Sequence, residues 1–116
     1  AVGAEEEGVT RRAFWELGHS WRRERRWDEA VRQFEAAARR WPQWVAPRIE
    51  LAKLQEHRRR DFDAALRTVQ EVLEVLRRRE DLGAPRSTEL RRALEHRAAR
   101  LRRRRGPSGG AGPWIT

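Results

Sequence analysis

Reactive chemistry in this chain would have to come from three histidines, His19, His57 and His96, and from two close carboxylate pairs, Asp28 with Glu29 and Asp61 with Asp63. An acid/base or metal centre needs such groups to converge at ligand spacing. Here each histidine falls on a different predicted element, and there is no cysteine to complete a ligand set. The carboxylate pairs stand at predicted helix starts, where acidic side chains meet the positive end of the helix dipole. No glycine-rich loop precedes a lysine, and no nucleophile motif occurs. The expectation is therefore no catalytic residue, no metal, no cofactor and no enzyme activity.

Recognition chemistry is better represented. Arg12, Trp15, His19 and Arg22 recur three or four residues apart and form one stripe of a helix. A tryptophan beside two guanidinium groups and a histidine can hold an acidic or aromatic peptide by stacking and charge-assisted bonds. The competing reading is that Trp15 packs on a neighbouring helix or domain. A second group is purely cationic. Residues 1–85 hold 18 basic and 16 acidic side chains, whereas residues 86–105 hold nine arginines against Glu89 and Glu95. Arg91, Arg92, Arg97, Arg100, Arg103 and Arg104 would line a helix able to neutralise nucleic-acid phosphates. The same arginines would equally suit the solvated face of a terminal helix, where the dipole favours cations. Of 27 basic residues only Lys53 is lysine, a bias that either guanidinium recognition or codon usage produces.

Five helices are needed to position these groups. Phe14, Leu17, Gly18 and Trp21 recur at i, i+3, i+4, i+7 and predict a helix over 11–25, with Thr10 as its cap. A second helix over 28–40 turns Ala30, Phe34 and Ala37 inward, and Pro42 stops it. Gly18 costs about 1 kcal/mol against alanine in a helix, and close approach of Ala30 is the expected compensation. Leu51 and Ala52 then repeat Leu17 and Gly18, and Phe62 and Ala65 repeat Trp27 and Ala30. The second small-to-small spacing is 13 residues against 12 in the first, so one residue is inserted, in the His57–Arg60 turn. Leu66, Val69, Val72, Leu73 and Leu76 mark a fourth helix over 63–79. Ser87 or Thr88 caps a fifth over 87–104, with Leu90, Ala93, Leu94, Ala98 and Leu101 inward. Residues 1–9 read as a flexible lead-in and 106–116 as a disordered Gly/Pro-rich tail, in which Trp114 and Ile115 are either a short docking motif or without a role.

The series Phe14, Leu17, Gly18, Trp21, Trp27, Ala30, Phe34, Ala37, Pro42 resembles a tetratricopeptide repeat, a 34-residue helix–turn–helix unit, here spanning 11–44. A second, weaker unit spans 45–79. The resemblance implies an all-α superhelix of two hairpins closed by a capping helix within a domain over 10–105. It also implies a concave surface lined by the first helix of each unit: Arg12, Trp15, His19 and Arg22 from one, Ala46, Ile49, Lys53 and Glu56 from the other.

A narrower resemblance covers roughly 11–105. Glu50-Leu51-Ala52-Lys53, Glu56-His57, Asp61-Phe62 and the arginine-rich run from Leu94 to Arg104 are similar to the helical C-terminal region of bacterial ribonuclease H-like exonuclease proteins. That resemblance implies the non-catalytic part of a nuclease, whose metal-binding acids would lie upstream.

No apolar run approaches the ~20 residues that span a bilayer, so no membrane partner is expected, and a cytoplasmic location is the default. The start at Ala1, without methionine, favours a piece of a longer chain. The function expected is a non-catalytic protein-interaction module, an appendage of a larger protein, which on the narrower resemblance processes nucleic acid. Its partner would be a protein, a peptide or a neighbouring domain. The alternative is a nucleic-acid-binding accessory domain acting through the basic helix.

Overall fold

A computed structural model describes residues 3–105, and every regular element in that span is a helix: α1 (Ala4–Arg23), α2 (Trp27–Arg40), α3 (Ala46–His57), α4 (Phe62–Asp81) and α5 (Thr88–Arg105). The protein is all-α. Successive helices pack in chain order, α1 on α2, α2 on α3, α3 on α4 and α4 on α5. The result is elongated, 57 × 38 × 23 Å. The tail at 106–116, with Trp114 and Ile115, lies outside the described residues.

The lead-in is corrected. Residues 4–9 are helical, because Glu5, Glu6 and Glu7 place three carboxylates in the first turn of α1, where the dipole favours them. Glu7 also reaches across the fold. It accepts from Trp41 Nε1 at 2.7 Å and from Arg40 Nη2 at 3.5 Å, tying the first turn to the end of α2. Thr10 is therefore inside the helix, its Oγ1 donating to the Glu6 carbonyl at 3.0 Å, and is not a cap. Asp61 does cap α4, accepting from the Ala64 backbone N–H at 3.1 Å.

Two apolar clusters share α3. One gathers Ala30, Val31, Phe34, Leu51 and Leu54, with Trp15, Trp21 and Trp27 packed around them. The other gathers Ala52, Ala65, Leu66, Val69, Val72, Leu76, Leu94, Ala98 and Leu101. Leu51 and Leu54 face the first cluster while Ala52 and Ile49 face the second, so α3 is buried on two sides and joins the hairpins.

The inward face of α1 is rotated from the predicted one. Gly18 is buried, but Leu17 is 43% exposed. The close approach at Gly18 comes from Phe34 rather than Ala30. A methyl group placed on Gly18 would lie 2.7 Å from both Cε1 and Cζ of the Phe34 ring, which is itself fully buried. Ala93, expected inward on α5, is exposed.

The two hairpin turns are built alike. Each places an arginine in the left-handed region two residues before the next helix, Arg25 at φ 59° and Arg60 at φ 53°. The inserted residue shows in how the turns close. Arg26 N–H donates to Trp21 O at 2.9 Å, five residues back, whereas Asp61 N–H donates to Gln55 O at 2.8 Å, six back.

Candidate binding surface

Trp15, on the fourth turn of α1, is half-buried and anchors an aromatic group. Its ring centroid lies 4.4 Å from that of His19, 5.5 Å from Trp44 and 5.8 Å from Phe34. Trp15 packs against neighbours, as one reading expected, and it also stays at the surface. Helical spacing sets Trp15 edge-on beside His19, and the Trp41–Trp44 loop folds back to supply Trp44. The Arg11 guanidinium sits 5.1 Å from the Trp44 ring centroid. His19 Nε2 is shielded from solvent without a hydrogen-bond partner. Burial holds the His19 pKa below its ordinary value; Glu50 opposes this, and Arg22, Arg23 and Lys53 reinforce it.

Three shallow depressions run end to end along this helix. The first, about 460 Å³, is lined by residues from Ala4 to Arg12 with Trp15 and Trp44. The second, about 550 Å³, is lined by Trp15, Glu16, His19 and Arg23. The third, about 410 Å³, is lined by His19, Arg22, Arg23, Arg25, Trp27 and Arg58. Trp15 links the first to the second, and His19 and Arg23 link the second to the third. The trough follows α1 from Ala4 to Arg23, about 30 Å at 1.5 Å per residue, and ends on Arg25 in the turn beyond. That length accommodates roughly nine residues of extended peptide. Arg11, Arg12 and Arg23 have no carboxylate partner among the described residues.

The structure thus brings Arg12, Trp15, His19 and Arg22 together, but the α3 half of the predicted groove fails. Ile49 packs onto the second apolar cluster. Glu50 bonds to Arg22 and also to Lys53 Nζ, the latter at 3.2 Å, which neutralises both cations. Glu56 is corrected outright: it is 0% exposed and cannot line an open surface. Glu56 accepts from Arg97 Nη1 at 2.7 Å, from Arg100 Nε at 3.0 Å and Nη2 at 2.8 Å, and from Arg104 Nη1 at 3.5 Å. These three arginines are three and four residues apart, so one face of α5 closes on a single carboxylate. Burial pushes the Glu56 pKa up, but the Arg100 hydrogen bond and charge, with His57 and Arg97, hold it below its ordinary value.

The continuous cationic stripe expected on α5 is therefore divided. Arg97, Arg100 and Arg104 turn inward to Glu56, and Arg91 pairs with Glu80. Of the six predicted residues, Arg92 and Arg103 have no carboxylate partner among the described residues. Sequence reading missed Trp44, Arg11 and Glu50. The Trp41–Trp44 pair beside Pro42 was the available signal, since two tryptophans in one short loop need a surface to cover.

Among the described residues, no three His, Asp or Glu side chains come close enough to hold a metal ion. No helix among them is long and apolar enough to cross a membrane. No family model, curated protein or solved structure matches this chain.

Proposed function

We propose that this protein is a non-catalytic helical scaffold that holds an acidic peptide segment along the outer face of α1. The observation that carries this reading is the trough itself, with Trp15, Trp44 and His19 as its floor and Arg11, Arg12 and Arg23 as cations not already neutralised. An aromatic or aliphatic side chain of the peptide would lie on Trp15, and flanking carboxylates would meet the guanidinium groups. The two hairpins are read as tandem tetratricopeptide-like units. The matched left-handed arginines in their turns support that relation, as does the small residue each unit buries at the equivalent position, Gly18 and Ala52.

The test is selection from a random-peptide display library, followed by titration of the enriched peptides while Trp fluorescence is recorded. Acidic sequences carrying an aromatic or leucine should be enriched. Trp15→Ala and Arg12→Gln should each weaken them about tenfold, the scale of one charge-assisted or stacking contact. No enrichment, or enriched peptides indifferent to both substitutions, would refute the reading.

A further inference from the structure

Folding gathers the net charge at one end of the molecule. The α1–α2 turn, the α3–α4 turn and the C-terminal end of α5 lie together there. Arg59 Nη2 contacts Asp28 Oδ1 at 2.8 Å, and Arg58 sits 4.3 Å from the Trp27 ring centroid, so the two turns touch. Arg60 and Arg104 lie over the same Phe62 ring at 5.3 and 4.7 Å, and Arg105 Nη1 meets Asp63 Oδ1 at 3.3 Å, which brings in α5. Residues 22–29, 56–63 and 97–105 carry thirteen arginines and six carboxylates, which accounts for seven of the nine net positive charges of the chain. Six of these arginines, Arg23, Arg25, Arg58, Arg60, Arg102 and Arg103, are exposed and have no carboxylate partner among the described residues.

We infer that this end binds the phosphate backbone of double-stranded nucleic acid without regard to sequence. Guanidinium groups offer paired donors that match phosphate oxygens, and here they come from three segments that meet only in the fold. The rings at this end are already covered, Trp27 by Arg58, Trp21 by Arg26 at 4.6 Å, and Phe62 by two arginines. Among the described residues, each Trp and Phe ring at this end carries a guanidinium on one face and only the His57 imidazole is more than half exposed, a poor platform for successive unpaired bases, which favours duplex backbone over single strands. Among the described residues, the exposed large apolar side chains, Val9, Leu17 and Leu82, all lie outside these segments, which weighs against insertion into a lipid layer. The surface differs from the predicted α5 stripe: it takes in the two turns and leaves out Arg91 and Arg92. Arg23, Arg25 and Arg58 also line the third depression of the trough, so the two surfaces adjoin there, while Arg60, Arg102 and Arg103 belong to this end alone.

Binding of a fluorescent 20-base-pair DNA duplex and the matching RNA duplex, measured by anisotropy from 50 to 300 mM salt, tests the inference. Six phosphate contacts give a slope of log K against log salt of about −5. The triple variant Arg60→Gln, Arg102→Gln, Arg103→Gln avoids both the Glu56 cluster and the trough. It should retain the parental melting temperature, reduce the slope by about 2 to 3 and weaken binding at least tenfold. Arg92→Gln, on the same helix but away from this end, should leave the slope unchanged. Absence of duplex binding at 50 mM salt would overturn the inference, as would an equal effect of Arg92→Gln or a triple variant with the parental slope. Tighter binding to phosphatidylserine vesicles than to either duplex would also overturn it. Loss of peptide binding in Trp15→Ala with duplex binding intact would separate the two surfaces.

Discussion

Replacing Glu56 by glutamine tests how the last helix is held. Glutamine keeps the shape and removes the charge that answers Arg97, Arg100 and Arg104. Breaking one side of a fully buried ion pair costs about 3–5 kcal/mol. Here the carboxylate is fully buried, but the arginine side chains keep 21%, 33% and 34% of their exposure, so water recovers part of the loss. The expected cost is about 2–3 kcal/mol at pH 7. At roughly 4–8 °C per kcal/mol for a domain of this size, the melting temperature should fall by about 10–20 °C. Hydrogen exchange should rise first in α5, whose hold on α4 otherwise rests on Leu90, Leu94, Ala98 and Leu101. The pH dependence has a fixed sign. The pKa of Glu56 is lower in the folded state than in the unfolded one, so its stabilisation is complete above the ordinary carboxylate range. It is lost as pH falls through the folded value. The gap between parent and variant should therefore close on acidification, as the protonated carboxyl comes to resemble the amide. Thermal melts of both proteins from pH 7 to pH 3 provide the measurement. A variant melting within about two degrees of the parent at pH 7, or a gap independent of pH, would refute the argument.

Gly18→Ala should destabilise by about 1–2 kcal/mol despite alanine's better helix propensity, because the buried Phe34 ring must move. A cycle with Phe34→Leu, read by urea denaturation, should recover part of that loss. Arg25→Gly should stabilise by about 0.5–1 kcal/mol, since left-handed backbone costs an L-residue roughly 1–2 kcal/mol and glycine's chain entropy returns part of it. A lower melting temperature for that variant would contradict the assignment of strain. His19 stays neutral in the folded protein below the pH at which the unfolded chain takes up its proton. Stability should therefore fall as pH drops from about 6.5 toward the lowered folded value, and His19→Phe should abolish that decline. NMR titration of the imidazole should show its midpoint below the ordinary one.

What was legible in the sequence was local. The apolar periods and Pro42 placed the end of α1, both ends of α2 and the start of α4 within two residues, because the information lies within one or two turns. The turn insertion was legible from spacing alone. Leu17 and Ala93 misled because a helical stripe is wider than the contact it makes, and only the partner helix selects which edge is covered. The first turn of α1 was missed because its hold on Trp41 and Arg40 crosses more than thirty residues. Glu56 was assigned to an open surface for a similar reason. Nothing near it in sequence announces that arginines some forty residues later will enclose it. The spacing of Arg97, Arg100 and Arg104 on the apolar side of α5 was the one available hint.

The gathering of arginines where the turns meet gives the protein a permanent electric moment. In a salt solution of physiological strength the field decays over about 8 Å, so it exerts little pull from afar. Within the last nanometre of an encounter it acts as a torque, rotating the molecule until its positive pole leads. Approach to any polyanion is thereby made with the two turns and the last residues of α5 foremost.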